Sequence, residues 1–458
     1  MSIFLSEKEF DIPAAPRHRD LLSHIPQALK FRLADDAFPV RFVITRSDRE
    51  HYHCEVGALT GIENLGFERP EPIFRFVRRS VERTDTFNAV FLVPTGIGAE
   101  IGGHAGDAMP VARLLAEACD VLVTHPNVLN ASDINETPAN AFYVEGSVIC
   151  RLLMGTVGLQ PVRANRVLVV IDKHDDELFV NAAVNAVSAA RASYGLHCSR
   201  VIQLDPPVKL KSRYTDSGRA GGETENLDYL FRILEDYRDE YDAVAISSVV
   251  DVPHSYHQDY FDRQGEMVNP WGGVEAMLTH AISSLFNVPA AHAPMFESRD
   301  IANADPGIVE PRMAAEAVSL TFMQCILKGT QRTPRIVVGD EAIRHPGVLD
   351  VSGISCLVIP DGCLGLPTLA ALEQGIPVIA VKENQNLMQN DLAALPWAPG
   401  QLRTVENYWE AVGVMSALRA GIAPESVRRP LGYTRTEVRS RDKDMEERES
   451  GDQTSGAR

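Results

Sequence analysis

The sequence lacks several features that would assign it to common functional classes. No apolar run reaches the roughly 18 to 20 residues needed to cross a bilayer. Basic residues are scarce: 44 Lys and Arg stand against 62 Asp and Glu, a net charge of −18 that argues against a nucleic-acid or anionic-membrane surface. The N-terminal segment MSIFLSEKEFDIP has acids where a secretory signal has a basic region and an apolar core. The seven cysteines include no C-x-x-C pair, so neither a zinc ribbon nor a disulfide framework is indicated. We therefore expect a cytoplasmic protein with reduced thiols.

The stretch Asn88–Asn130 contains the strongest local pattern. An apolar run, AVFLV, predicts a buried strand, and a glycine-rich loop, PTGIGAEIGGHAGDA, follows it before a predicted helix and a second strand. Units of this kind bind anionic or nucleotide-like ligands through backbone amides at helix N-termini. The loop lacks the third glycine of a dinucleotide fingerprint and the Lys-Ser/Thr pair of a P-loop. Three ionisable residues, Glu100, His104 and Asp107, favour a binding site over a loop that only packs strand against helix.

Polar residues continue beyond the second predicted strand, in the loop ASDINETP and at the turn THPN. This loop follows the carboxyl end of a strand, which is the edge of an open α/β sheet where ligands bind. We expect His104, His125 or His254 to transfer protons. The substrate-binding candidates of this region are Thr95, Gly96, Gly98, Gly102, Gly103, Asp107, Asn127, Asn130 and Asp133.

A basic stretch interrupts the otherwise acidic chain, with Lys209, Lys211, Arg213 and Arg219 close to three glycines. Two interpretations remain open. The stretch is either a mobile solvated loop or a lid that closes on an anionic substrate and forms charge-assisted hydrogen bonds with it.

Histidines are concentrated after the predicted strand AVAISSVV. His254 and His257 follow it directly, and His280 and His292 come later, with Asp251 and Glu275 nearby. Three interpretations stay open. The histidines bind a metal, although the zincin spacing H-E-x-x-H is absent; or His254 or His257 transfers protons or binds the substrate; or all of them are structural. The segment NPWGGVE opens a predicted helix and adds four substrate-binding candidates: Trp271, Gly272, Gly273 and Glu275.

The last part of the chain repeats the strand, small-residue loop, helix, strand pattern in CLVIPDGCLGLPTLAALEQGIPVIAV. Cys363 stands next to the predicted helix N-terminus, where the helix dipole lowers the pKa of a thiol, and it is the candidate nucleophile. The alternative is a small residue that fits a tight loop. Asp361, Gly362, Gly365 and Asn384 are further substrate-binding candidates. The tail from Arg435 has almost no apolar residues and is expected to be disordered.

Five segments resemble one bacterial and plastid family described as a domain of unknown function: PTGIGAEIGGHAGDA, THPNVLNASDINE, YVEGS, NPWGGVEAMLTHA and DGCLGLPTLAALEQGIPVIAVKEN. A weaker likeness is to two-lobed glycosyltransferases and sugar-nucleotide epimerases. Their glycine loop is similar to Gly102-Gly103-His104, and their second-lobe loop, helix and strand are similar to residues 362–381. The usual acidic pair for ribose is missing, so this likeness implies an architecture rather than an activity.

Together these patterns predict an α/β protein with two Rossmann-like lobes, mostly parallel sheets and a small N-terminal α+β cap. The expected bounds are 1–85 for the cap, 86–330 for the central lobe, 331–430 for the C-terminal lobe and 431–458 for the tail. The favoured function is an enzyme that performs non-redox hydrolysis, lysis or group transfer on a small anionic metabolite in a cleft between the lobes. The alternatives are a nucleotide-sugar glycosyltransferase or epimerase-like enzyme and a non-catalytic sensor of small molecules. The sequence names no cofactor or metal, and a homo-oligomer stays open.

Overall fold

A computed structural model describes residues 3–15, 20–66 and 70–436 of the chain. The strands are β1 (Phe4–Pro13), β2 (Phe38–Ser47), β3 (His51–Thr60), β4 (Asn88–Phe91), β5 (Val121–Thr124), β6 (Ala141–Tyr143), β7 (Gly158–Gln160), β8 (Val167–Asp172), β9 (Cys198–Leu204), β10 (Lys209–Tyr214), β11 (Ala220–Glu225), β12 (Ala243–Asp251), β13 (Ala290–Met295), β14 (Arg335–Val337), β15 (Ile354–Pro360), β16 (Leu364–Gly365), β17 (Val378–Val381) and β18 (Leu402–Val405). The α-helices are α1 (Leu21–Leu29), α2 (Met109–Ala116), α3 (Pro126–Leu129), α4 (Gly146–Leu153), α5 (Glu177–Tyr194), α6 (Leu227–Asp236), α7 (Tyr256–Asp262), α8 (Gly272–Phe286), α9 (Arg299–Ala302), α10 (Met323–Arg332), α11 (Asp340–Ile343), α12 (Leu366–Gln374) and α13 (Tyr408–Arg419).

The larger sheet is mixed. Its strands follow the order β16-β2-β3-β1-β11-β10-β12-β8-β9, and β13 pairs with β12. The part formed by β8, β9, β12 and β13 is parallel, whereas β1, β2, β3, β11 and β16 pair antiparallel. Residues of β8 and β12 are buried almost throughout, as expected for parallel strands covered on both faces. Helix α8 packs against β11 and β13 and covers one face of this sheet.

The second sheet is entirely parallel and has six strands in the order β18-β17-β15-β4-β5-β6. Its central strands β4 and β15 are short and fully buried, which explains why they read as continuous apolar runs. Helix α4 packs against both α12 and α8, and so lies between helices that accompany the two sheets.

The predicted fold class is confirmed: the protein is α/β with two Rossmann-like lobes, and β1–β3 with α1 supply the N-terminal α+β part. The expected domain bounds stay a prediction, but strand pairing crosses them, since β1 pairs with β11 and β4 pairs with β15. Among the described residues, those up to Ser416 form one compact unit, and those from 417 to 436 form a second, which contains a 3-10 turn at Pro424–Val427. Most of the tail that we expect to be disordered, residues 437–458, lies outside the described residues. Within the described ranges, no helix combines the length and apolar character needed to cross a membrane.

Candidate functional site

The loops at the carboxyl ends of strands from both sheets line one cavity of about 820 Å³. Its walls include residues that follow β4, β5, β6 and β15 of the parallel sheet, and β12 and β13 of the mixed sheet. Ligands of open α/β proteins bind outside the carboxyl ends of the strands, and small-molecule sites have volumes of roughly 300 to 1,000 Å³. Both the position and the size of this cavity therefore identify it as the candidate site.

Many of the residues predicted for the site do line this cavity, although they come from distant parts of the chain. They include all five catalytic candidates and nine substrate-binding candidates: His104, His125, His254, His257, Cys363, Thr95, Gly96, Gly103, Asn127, Asn130, Trp271, Gly272, Glu275 and Gly365. Their convergence follows from the topology, because the carboxyl ends of parallel strands lie at the same edge of a sheet.

Other predicted residues do not belong to the cavity lining and support its loops instead. These are Gly98, Gly102, Asp107, Asp133, Gly273, Asp361, Gly362 and Asn384. The carboxylate of Asp107 accepts hydrogen bonds from the amides of Gly102 and His104. The side chain of Asn384 bonds to both the amide and the carbonyl of Ile101, each at 2.8 Å. These contacts fix the shape of the glycine-rich loop.

The glycines of that loop are required mainly by close backbone packing. A Cβ atom on Gly96 would lie 2.5 Å from the carbonyl oxygen of Ala220, and one on Gly103 would lie 2.1 Å from that of Ala99. Several of the amides that we expected to bind a ligand already donate within the protein. The amide of Ala105, for example, donates to Glu316 at 2.8 Å. The packing interpretation therefore explains much of the loop, while His104 remains exposed to the cavity.

The basic stretch is neither a mobile loop nor a lid. Residues 209–214 and 220–225 form the antiparallel strands β10 and β11, inside the mixed sheet. Lys209, Lys211 and Arg213 alternate with buried residues on the exposed side of β10 and do not line the cavity. They are therefore not placed to clamp a substrate there. Arg219 does line the cavity and is 1% exposed.

A buried carboxylate–histidine pair joins α4 and α8 at the cavity. Oε1 of Glu145 lies 2.9 Å from Nε2 of His280, and its other oxygen accepts hydrogen bonds from the amide and hydroxyl of Ser147. Burial alone would raise the pKa of Glu145, but His280 and Ser147 outweigh it and hold that pKa below its ordinary value. Gly146 allows the close approach, because a Cβ there would be 3.1 Å from the His280 ring. Neither Glu145 nor His280 was among the predicted site residues.

A second histidine, His104, is held through a tyrosine. Its Nδ1 lies 2.6 Å from the hydroxyl of Tyr260, which donates to Glu316 at 3.1 Å and accepts from Asn269 at 3.3 Å. Because the hydroxyl uses its proton on Glu316, His104 donates from Nδ1 and keeps a lone pair on Nε2. Burial lowers the pKa of His104 to about 4 and raises that of Glu316 to about 7. The imidazole is therefore neutral at pH 7.

Two further histidines are held in the cavity walls. His125 accepts a hydrogen bond at Nε2 from the amide of Val93, and burial lowers its pKa to about 4. His292 contacts the hydroxyl of Ser248 at 2.6 Å, and its Nδ1 lies 3.5 Å from Glu275. The His125 ring is therefore neutral at pH 7, and both rings are buried in the inner wall of the cavity.

His254 and His257 lie beside each other, with ring centroids 6.4 Å apart, and His257 packs 5.5 Å from Trp271. Burial and the neighbouring His254 lower the pKa of His257. Across the described part of the chain, no three His, Cys, Asp or Glu side chains are grouped so that they could hold a metal ion. The arrangement of these two rings suits contact with a ligand at the cavity wall.

The expectation for the Cys363 thiol is wrong in one respect. Cys363 lines the cavity, but it is 3% exposed and precedes the first residue of α12 by three positions. Burial and the nearby Asp361 raise the pKa of the thiol instead of lowering it. The desolvation of a thiolate here outweighs any effect of the helix dipole.

Two of the four residues missed by sequence reasoning fall into segments that were noticed for other reasons. Glu145 lies in YVEGS and His280 in NPWGGVEAMLTHA, both of which carry the family resemblance. Tyr260 and Glu316 lie in no such segment. Glu145 follows β6 by two residues, whereas Tyr260 lies in α7 and Glu316 in a 3-10 turn, and no local pattern in the sequence marks these two.

The fold and the cavity define an α/β protein with a cavity lined by buried histidines and glutamates at the carboxyl ends of two sheets. The chain belongs to the family described as "Protein of unknown function (DUF3326)", whose model matches residues 88–428, as the resemblance implied. It is also similar to an "Uncharacterized lipoprotein" of Synechococcus sp., with 33% identity over 346 residues, 75% of this chain and 93% of the relative. No solved structure matches the chain.

Proposed function

We propose that this protein is an enzyme that catalyses a non-redox hydrolysis, lysis or group transfer on a small anionic metabolite bound in the cavity. One observation carries the proposal: two histidines of the same cavity are each held through one ring nitrogen by an acidic network. His280 is held by Glu145, and His104 by Tyr260 and Glu316. Among the described residues, the second ring nitrogen of each histidine has no hydrogen-bond partner.

This geometry matches what acid–base catalysis requires. A carboxylate accepts but does not donate, so Nε2 of His280 carries a proton. In the neutral form of the ring, Nδ1, which is buried and has no hydrogen-bond partner among the described residues, keeps a lone pair. A carboxylate that orients a histidine in this way also stabilises the imidazolium formed during proton transfer. Hydrolysis, lysis and group transfer commonly use proton transfer to and from the reacting groups, and His104 and His280 are two separate groups for these steps.

The helices around the cavity support an anionic substrate. Helices α4, α8 and α12 all begin at the cavity, at Gly146, Gly272 and Leu366. The N-terminus of a helix carries a partial positive charge, which favours negative groups of a ligand. This potential offsets carboxylates in the lining, such as Glu145 and Glu275.

The proposal is tested by a search for compounds that the protein converts. Purified protein is incubated with a small-molecule extract of bacterial cells, and mass spectrometry records which compounds are consumed and formed. We expect consumption of an anionic compound by the wild type, and a loss of about 10²- to 10⁴-fold for His104→Gln and His280→Gln. His51→Gln, at an exposed position of β3, is the control and should behave as wild type.

Two results would count against the proposal. Full turnover by both cavity variants would show that these histidines do not transfer protons. A compound that binds the wild type, identified after gentle purification, but is never consumed would favour the alternative of a non-catalytic sensor.

A further inference from the structure

Arg219 is a buried guanidinium in the cavity wall, immediately before β11. Its Nε donates to Glu55 at 2.5 Å, and its Nη2 donates to Glu7. All three side chains are almost completely buried, with exposures of 1% for Arg219 and 2% for each glutamate. Because strands β1 and β3 hold the two carboxylates, they fix the plane and the direction of the guanidinium.

The third nitrogen of the guanidinium, Nη1, differs from the other two in its hydrogen bonding. No described residue accepts a hydrogen bond from it, although Arg219 lines the cavity. A charged donor that faces a cavity needs an acceptor, which water supplies in the empty cavity and a ligand supplies when the site is occupied. A guanidinium of fixed orientation is suited to the oxygens of carboxylates and phosphates.

A second guanidinium, that of Arg41, contacts the same Glu7 carboxylate. Arg41 also lines the cavity, donates to the carbonyls of Thr95 and Gly273 at 2.9 and 3.2 Å, and lies 3.8 Å from Glu7. Two guanidiniums therefore face two carboxylates in this network, so the network itself carries no excess of negative charge. Burial raises the pKa of Glu7, and the charges of Arg41, Arg213 and His280 oppose this rise, so the network lies within electrostatic reach of that histidine.

We propose that Nη1 of Arg219 binds the carboxylate or phosphate group of the substrate, and so holds the reacting part of the molecule near His280. The inference rests on the proposed function in one respect, because only that function makes the bound anion a substrate. Anion binding itself can be measured without turnover. It also replaces Lys209, Lys211 and Arg213 with a buried residue as the group that recognises the anion.

The experiment measures thermal unfolding during titration with sodium phosphate or sodium acetate, at constant ionic strength maintained with sodium chloride. We expect a saturable rise in melting temperature for the wild type with one of the two anions. Phosphate alone indicates a phosphorylated ligand, and acetate alone indicates a carboxylate. Lys211→Gln, which removes an exposed charge from β10, should keep the response.

Two variants remove the proposed contact. Arg219→Gln alone would leave Glu7 and Glu55 without their partner, so the double variant Glu55→Gln/Arg219→Gln reduces that imbalance, and Arg219→Lys keeps the charge but loses the guanidinium. We expect at least a tenfold weaker anion affinity in both, and Arg219→Lys supplies the answer if the double variant does not fold. An undiminished response in Arg219→Lys, or no saturable response of the wild type to either anion, overturns the inference. The two proposals can fail separately. If anion binding depends on Arg219 but His104→Gln and His280→Gln keep full turnover, this inference is supported and the proposed function is contradicted.

Discussion

Nε2 of His280 lies 2.9 Å from Oε1 of Glu145, and this contact links two helices that accompany different sheets. Helix α8 covers the mixed sheet, whereas α4 begins directly after β6 of the parallel sheet. The pair therefore forms only when both sheets are assembled with their carboxyl ends facing the same cavity. Its position makes the chemistry of the site dependent on the packing of α4 against α8.

The first prediction concerns the carboxylate of this pair. Glu145→Gln keeps the shape of the side chain but removes the charge that orients His280 and stabilises its protonated form. We expect turnover to fall by about 10²- to 10⁴-fold, with substrate affinity changed much less. Steady-state kinetics on the substrate found by metabolite screening would measure both. Glu373→Gln, at a glutamate of α12 that pairs with Arg78, is the matched control, and equal losses in the two variants would contradict a catalytic role for Glu145.

The second prediction concerns Tyr260, which is fully buried between His104 and Glu316. Tyr260→Phe removes the hydroxyl and leaves both neighbours without their partner. We expect a loss of about 1 to 3 kcal/mol in the free energy of unfolding and a fall in turnover of at least tenfold. Tyr241→Phe is a suitable control, because the Tyr241 hydroxyl is also buried but donates only to the carbonyl of Leu234. If Tyr260→Phe retains full turnover, the His104 network has no part in the reaction.

The third prediction concerns the thiol of Cys363. Because burial raises its pKa, little thiolate forms at pH 7 and the group is a poor nucleophile. We expect Cys363→Ser to retain turnover within a few-fold of the wild type, and native Cys363 to resist alkylation by iodoacetamide. Cys198, which is only half-buried, should be labelled faster when modified sites are identified by peptide mass spectrometry. Rapid labelling of Cys363, or a loss of turnover in Cys363→Ser, would instead support a mechanism in which Cys363 is the nucleophile.

The fourth prediction concerns Gly273, where α8 begins against β11. A Cβ on this residue would lie 2.2 Å from the carbonyl oxygen of Ala220, a backbone atom that cannot move aside easily. We expect Gly273→Ala to lower the free energy of unfolding by about 1 to 3 kcal/mol in urea denaturation. Gly413→Ala is the control, since no atom lies near its Cβ in the exposed face of α13, and it should stabilise the protein by up to about 1 kcal/mol. Equal effects of the two substitutions would contradict the close packing.

The fold was largely predictable because its signals are local. The buried runs of β4, β8, β12 and β15 are apolar enough to stand out, and the polar loops after them mark the carboxyl edges where a ligand binds. The β10 strand was missed even though its signal was present. Lys209, Lys211 and Arg213 alternate with Leu210 and Ser212, a period of two that indicates a strand rather than a loop.

The chemistry of the site was less predictable because it depends on partners far apart in the chain. Whether a buried glutamate meets a histidine, as Glu145 meets His280, depends on how α4 packs against α8. Arg219 was predicted as part of a mobile or closing loop, since nothing near it in sequence shows that β1 and β3 place Glu7 and Glu55 around it. The burial of Cys363, which decides its pKa, is likewise a property of the assembled fold.

The last prediction uses a carboxyl group outside the cavity, Asp172, at the end of β8. It is 1% exposed, and burial raises its pKa to about 7, an effect that the amide of Val208 only partly opposes. Between pH 4 and pH 7 the folded protein therefore binds a proton that the unfolded chain has released, so the Asp172 contribution to stability falls as the pH rises through this range. Asp172→Asn removes the cost of ionising the buried group. We expect the variant to be more stable than the wild type at pH 8 by up to about 4 kcal/mol, and nearly equal to it near pH 4. Urea denaturation of both proteins at several pH values measures this difference, and a difference that does not grow with pH would show that Asp172 titrates in the folded protein as it does in water.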